Sequence, residues 1–257
     1  MQPSGRPGRA RAIGAESDGG STAGDTYVPV APAPVLPPTK VAGNHYLAFP
    51  VAGSHGVPAS AVAVIVDVTA SGGTTAGHVV SYPERLPGQQ QQVAYWGKGQ
   101  AVTGLAVVPV NGRAGLRNVG SGTAAFSAQV VGYLAPNVAS SHGGAFFPSP
   151  RARLLVVNLA GRHYVKLPVT GKNGVLAGSS AVMVNLTTTG ATAGGSITAW
   201  ADGTTRPGVT SLSYTSGQAN VNAAIVAVGA DETIDVYNNG LRTVTVVVDL
   251  LGSYYAY

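Results

Sequence analysis

Apolar residues along most of this chain recur at every second position. In Ala61 to Val68, the side chains of Val62, Val64, Val66 and Val68 fall on one face of an extended backbone, and Ala61, Ala63, Ile65 and Asp67 fall on the other. Val182, Val184 and Leu186 repeat the pattern. Further β-branched runs cover residues 102–110, 125–131, 223–228 and 244–251, separated by clusters of Gly, Asn, Asp and Pro. No apolar stripe holds the three-and-four spacing of a helix. Short strands without intervening helices predict an all-β fold of antiparallel sandwiches or barrels, not a parallel α/β sheet.

The strands come in two sets. Pro50-Val51 recurs as Pro168-Val169, Gly56-Val57 as Gly174-Val175, and Gly99-Gln100-Ala101 as Gly217-Gln218-Ala219, all 118 residues on. Val64-Ile65-Val66-Asp67-Val68-Thr69 recurs at the same offset as Val182-Met183-Val184-Asn185-Leu186-Thr187. Late in each copy the offset is 120: Asn118 answers Asn238, and Val130-Val131-Gly132 answers Leu250-Leu251-Gly252. The slip falls among turn residues, Asn111-Gly112 against Gly229-Ala230-Asp231, where insertions are tolerated. The expectation is two tandem antiparallel β-sandwich modules related by an internal repeat, at 39–135 and 153–257. Residues 136–152 form a linker that includes the first strand of the second module, because Pro32 to Leu36 aligns with Pro150 to Leu154. Residues 1–38, rich in Gly, Ser and Arg and then in closely spaced prolines, read as a flexible or extended amino-terminal arm, unsuited to a central strand.

Composition narrows the functional classes. Only 10% of the 257 residues are charged while 45% are hydrophobic, which favours a packed core over disorder. Cysteine is absent, which excludes disulfides, thiolate metal sites and thiol nucleophiles. The net charge of +5 is uneven: Arg6, Arg9 and Arg11 lie in the first eleven residues, and the remaining 12 bases and 10 acids nearly cancel. That is a basic tail on a near-neutral body, not the clustered Lys and Arg of a nucleic-acid-binding face. No run approaches the roughly 18 apolar residues of a membrane span, and the amino terminus lacks the apolar core of a secretory signal.

Several short motifs stand out: Phe147-Pro148-Ser149-Pro150-Arg151-Ala152-Arg153-Leu154-Leu155, Gly56-Val57-Pro58-Ala59, Val184-Asn185-Leu186-Thr187, Gly217-Gln218 and Val130-Val131-Gly132-Tyr133. From Tyr27 onward, in both copies, the chain resembles a recurrent module of exported actinobacterial surface proteins. That module reads aromatic-x-Pro-x-x-Pro-x-Arg-Leu-Leu, Gly-Val-Pro-Ala, an Asn-Val-Thr strand, Gly-Gln and a closing Val-Val-Gly-Tyr. The resemblance implies a β-rich, non-enzymatic module for display or attachment at a cell surface. The Asp-Thr-Arg that usually follows Leu-Leu is replaced by Val156-Val157-Asn158 in one copy and by Pro37-Pro38-Thr39 in the other.

Tests for chemistry return little. His55 is answered by Asn173 and His78 by Ser196, so neither histidine is duplicated, and no His-Glu-x-x-His spacing exists. Asp67 and Asp249 sit in apolar strands. Asp67 reads either as a buried acid with a perturbed pKa or as an acid on the outer face of a half-buried strand, and its partner Asn185 favours the structural role. Asp231-Glu232 with Asp235 could ligate calcium, although a solvated hairpin turn suits them better. No nucleophile elbow or phosphate loop is present, so no catalytic residue, metal or cofactor is assigned.

The aromatics are the remaining candidates, since a ring face can stack on a sugar. Tyr82 matches Trp200, and both suit core plugs. Tyr95-Trp96, set among Gln89 to Gln92 and Lys98, is the better exposed contact. The arm, with Arg6, Arg9, Arg11 and Tyr27, suits docking on other structural proteins of an assembly. The expected function is a non-enzymatic structural or attachment protein, oligomeric or part of a larger assembly. It would be displayed on a virion surface as a phage minor tail, fibre or capsid-decorating protein. The alternative is a secreted actinobacterial module that binds carbohydrate or cell wall, at the cell surface or outside it.

Overall fold

The structure, a computed structural model, describes residues 25–84, 90–110, 112–136, 144–171 and 173–255. Among these residues there are sixteen strands and no helix, hence none long and apolar enough to cross a membrane. The first eight are β1 (Thr26–Val41), β2 (Tyr46–Pro50), β3 (Ala63–Ser71), β4 (Gly77–Pro83), β5 (Gln91–Trp96), β6 (Val102–Pro109), β7 (Arg113–Gly120) and β8 (Ala124–Ala135). The second eight are β9 (Ala145–Leu159), β10 (Tyr164–Pro168), β11 (Ala181–Thr189), β12 (Gly195–Ala201), β13 (Leu212–Tyr214), β14 (Asn220–Ala227), β15 (Thr233–Asn238) and β16 (Val244–Tyr255).

The strands build four antiparallel sheets. The first module has the orders β1-β8-β3-β6 and β2-β7-β4-β5; the second has β9-β16-β11-β14 and β10-β15-β12-β13. Each second-module order is its first-module counterpart with eight added to every strand number. Each pair of sheets faces across its own core. In the first module Val64, Val66, Val68 and Phe126 meet Phe49 and Leu116, and in the second Val182, Val184, Leu186 and Val248 meet Ile197 and Ile234. The alternation that defines the strands thus sends one residue of each pair inward.

Turn chemistry recurs as well. Gly53 and Gly171 both have positive φ, and each donates its N–H across a tight loop, to Val57 O at 2.8 Å and to Val175 O at 2.9 Å respectively. The side-chain amide of Asn118 donates to Val41 O and Gly122 O, and that of Asn238 donates to Leu159 O and Arg242 O, so each asparagine ties three segments of its module together.

The expected arm is corrected from residue 26 onward. Residues 26–38 lie in β1, paired with β8 from Thr26↔Ala135 to Val41↔Ala124, and Val35 and Leu36 enter the core. Five prolines are accommodated because β1 is an edge strand and its pairing slips register three times, so fewer N–H groups are required in the ladder. The first strand of the second module, expected within 136–152, is β9, which begins at Ala145 and forms the corresponding edge. Residues 1–24, including Arg6, Arg9 and Arg11, lie outside the described residues.

The modules pack against each other through the outer face of the β1-β8-β3-β6 sheet. Tyr27, Ile65 and Val131 from the first module meet Ala181 and Ile225 from the second, with Leu105, Met183 and Tyr254 alongside. Polar side chains sit within this contact. Asn222 donates to Ser211 O at 2.8 Å within its own module and to Asp67 Oδ1 at 3.4 Å across the interface, while its Oδ1 accepts the Leu105 N–H. Gln129 Oε1 accepts the Thr210 N–H, and Gln100 donates to Gln218, the residue that answers it 118 positions on.

Candidate functional site

The β2-β7-β4-β5 sheet turns its outer face away from the β1-β8-β3-β6 sheet, and at its β5 edge Tyr95 borders Val221 to Ala223 of the second module. Leu47 and Phe49 of β2 point inward, so Tyr46 points out. Arg117 stands opposite Tyr46 on β7, with Val80 opposite Arg117 on β4. His78 stands opposite Tyr95 of β5, and Tyr82 opposite Gly115 of β7. One face therefore carries Tyr46, His78, Tyr82, Tyr95 and Arg117. From β2 to β5 it spans three strand spacings, about 14 Å.

These side chains are locked together. The Tyr82 ring meets Tyr46 edge-on with centroids 5.3 Å apart, and the Arg117 guanidinium lies 4.9 Å above the Tyr46 ring. A Cβ on Gly115 would stand 2.3 Å from the Tyr82 ring, so only glycine lets that ring lie across β7. Burial raises the Tyr82 phenol above its ordinary pKa, with Tyr46 and Glu84 adding to the shift. The Nε of Arg117 is buried without a hydrogen-bond partner. Arg113 pairs with Glu84 at 2.9 Å and donates to Ala48 O, closing the end of the sheet. His78 lies 5.0 Å from the Tyr95 ring. Tyr46 and Tyr95 remain 50% and 66% exposed. The arrangement offers two exposed rings, that of Tyr46 with one face under the Arg117 guanidinium, and hydrogen-bond donors between them, which suits stacking on and hydrogen bonding to a polar ring.

Of the residues singled out from sequence, Tyr82 and Tyr95 lie on this face, Tyr82 buried beside Tyr46 and Tyr95 exposed opposite His78. Trp96 does not: it is 5% exposed, edge-on to Phe126 in the core, and its Nε1 donates to Thr75 O. Adjacent strand residues face opposite ways, so Tyr95 and Trp96 could not both point out. Tyr27 is 1% exposed and donates its hydroxyl to Val131 O at 2.9 Å, so it belongs to the contact between modules and not to a free arm. Trp200 is buried, with its Nε1 donating to Thr204 O.

Tyr46 was missed, although a signal existed: His45-Tyr46 recurs as His163-Tyr164, again 118 residues on. In both turns the preceding residue, Asn44 or Arg162, has positive φ, and the histidine Nδ1 lies 2.8 Å from the carbonyl oxygen of Gly43 or Gly161. Tyr164 is exposed and 6.5 Å from Trp200, echoing the Tyr46–Tyr82 pair. The rest of the second face differs. Arg206, from the connection after β12, covers the Tyr237 ring at 3.9 Å. Lys166 hydrogen-bonds Asp202, and that contact lowers the Asp202 carboxyl well below the usual range. Burial, then the hydrogen bond with Asp202, raises Asp235 to about 6. Glu232 turns away to accept from Thr170 Oγ1 and Gly178 N, so it does not join Asp235. Among the described residues no group of three His, Asp or Glu is placed to hold a metal ion.

A second concavity lies between the modules. It encloses about 480 Å3 and is lined mostly by apolar groups from Pro29 to Pro32, Val131 and Ile225, together with Asp67, Trp200 and Arg206. Burial holds the Asp67 carboxyl well above the usual carboxylate range, against a smaller downward pull from the Asn222 amide.

No protein family and no curated protein matches the chain. Among solved structures it is similar to the amino-terminal tandem CBM22-1-CBM22-2 domain of Paenibacillus barcinonensis Xyn10C, at 11% identity and a TM-score of 0.21, covering 92% of this chain and 99% of that one. It is also similar to the oxalate decarboxylase OxdC of Bacillus subtilis, at 9% identity and a TM-score of 0.16, covering 92% and 80%. Among its described residues the chain is an all-β molecule of antiparallel sheets.

Proposed function

We propose that the chain is a non-enzymatic attachment protein that holds a surface glycan on the β2-β7-β4-β5 face. The observation that carries this reading is the pair of exposed rings, Tyr46 and Tyr95, on one rigid sheet with Arg117 and His78 between them. Sugars present axial C–H groups to a ring face and hydroxyls to the side, and this face meets both demands without ordering any loop. The same chemistry serves a module on a cell surface or on a virion.

Co-sedimentation of the full chain with purified actinobacterial cell walls and with insoluble polysaccharides tests the reading. The wild-type chain should sediment. Tyr46→Ala and Tyr95→Ala should each weaken binding about fivefold, the scale of one aromatic contact, and the double variant should remain in solution. Undiminished binding by the double variant, or a wild-type chain that binds none of these materials, would overturn it.

A further inference from the structure

The cleft between the modules carries chemistry that the aromatic face does not use. At about 480 Å3 it has the size of a small-molecule site, and its wall is largely hydrocarbon. Asp67 is the one acid on that wall and is 3% exposed. Among the described residues its single hydrogen bond comes from the Asn222 amide at a long 3.4 Å, which leaves most of the carboxyl's accepting capacity unused. The one cation on the wall, Arg206, lies over the Tyr237 ring, and among the described residues no ion pair joins it to Asp67.

The strand itself does not require an acid at this position. Asn185 stands 118 residues on, at the matching place in β11, and keeps the polar shape without the charge. Asp67 differs from it in facing the cleft. An acid buried in hydrocarbon is costly unless a cation meets it, and no side chain of the described residues does so.

We propose that the cleft is a binding site for a small apolar primary amine. The ammonium group meets the Asp67 carboxyl, and the hydrocarbon body lies against Pro29, Pro32, Val131 and Ile225. Where the carboxyl enters protonated and the amine free, its proton passes to the amine nitrogen and an ammonium–carboxylate pair results. This site shares no lining residue with the aromatic face, which belongs to the other sheet of the first module.

Calorimetric titration of the full chain with benzylamine, and with benzyl alcohol as the uncharged match, tests the proposal. Benzylamine should bind the wild-type chain more tightly than benzyl alcohol does. Asp67→Asn, which substitutes the side chain that Asn185 already places in β11, should weaken benzylamine about tenfold or more and leave benzyl alcohol little changed. Ile225→Trp, which fills the cleft, should remove binding of both, and Tyr46→Ala should change neither. Failure of benzylamine to bind, equal affinity for amine and alcohol, unchanged amine affinity in Asp67→Asn, or binding that survives Ile225→Trp would overturn it.

Discussion

Burial raises the Asp67 carboxyl pKa in the folded chain well above that of an ordinary, solvated carboxylate. The folded state therefore keeps a proton that the unfolded chain releases above about pH 4, and stability falls as pH rises from there toward the folded value. The neighbouring phenols of Tyr27 and Tyr254 are themselves shifted upward, so neither titrates in that window. Asp67→Asn removes the penalty and keeps an acceptor for the Asn222 amide. The variant should melt above the wild-type chain at pH 8, and the gap should close toward pH 4; thermal denaturation across that range shows whether it does. A second residue-scale contrast is Tyr214, whose hydroxyl donates to Asn238 Oδ1 at 2.7 Å. The matching Asn118 Oδ1 has no such partner, because Trp96 stands where Tyr214 does. Tyr214→Phe should cost about 1–2 kcal/mol in urea denaturation, the scale of a buried hydrogen bond whose acceptor loses one donor.

At the scale of the element, β1 shows how an edge strand tolerates five prolines and still matters. A chain beginning at Asp25 retains β1, whereas one beginning at Thr39 strips Val35 and Leu36 from the core and bares the edge of β8. Burying those two side chains is worth on the order of 4 kcal/mol, so circular dichroism should show the shorter chain losing the first module's cooperative melt while the longer keeps it. The strands were legible because two-residue periodicity survives in Val64 to Val68 and Val182 to Leu186, and the offset of 118 marked which strands answer one another. β1 was read as an arm because its prolines mask any periodicity, and pairing with a strand a hundred residues away leaves no local trace. Trp96 was misjudged, and Tyr46 missed, because neither placement shows in a local run of residues. Polar neighbours suggested exposure for Trp96, but strand parity decides it, and the Gly115 gap that seats Tyr82 is visible only once β7 lies beside β4.

At the scale of the whole molecule, the two sandwiches are held by few polar groups in an apolar seam. Asn222 makes three hydrogen bonds there: its loss in Asn222→Ala leaves the Leu105 N–H and the Ser211 carbonyl without side-chain partners and removes the hydrogen bond to Asp67. Buried groups left unpaired cost about 1–3 kcal/mol each, so amide hydrogen exchange should speed along β6 and β13 while the protected core of β11 and β16 changes little. None of this was readable from sequence, because Asn222 answers Gly104 and only the packing of unlike halves gives it a task.

The first and last described strands meet at one corner, where the Tyr27 and Tyr254 rings stand 4.5 Å apart. A tether joined ahead of β1 and another joined beyond β16 would leave the molecule side by side. Pulled from a single tether, the body would hang with the Tyr46 face on its far side, turned toward whatever lies opposite the anchorage.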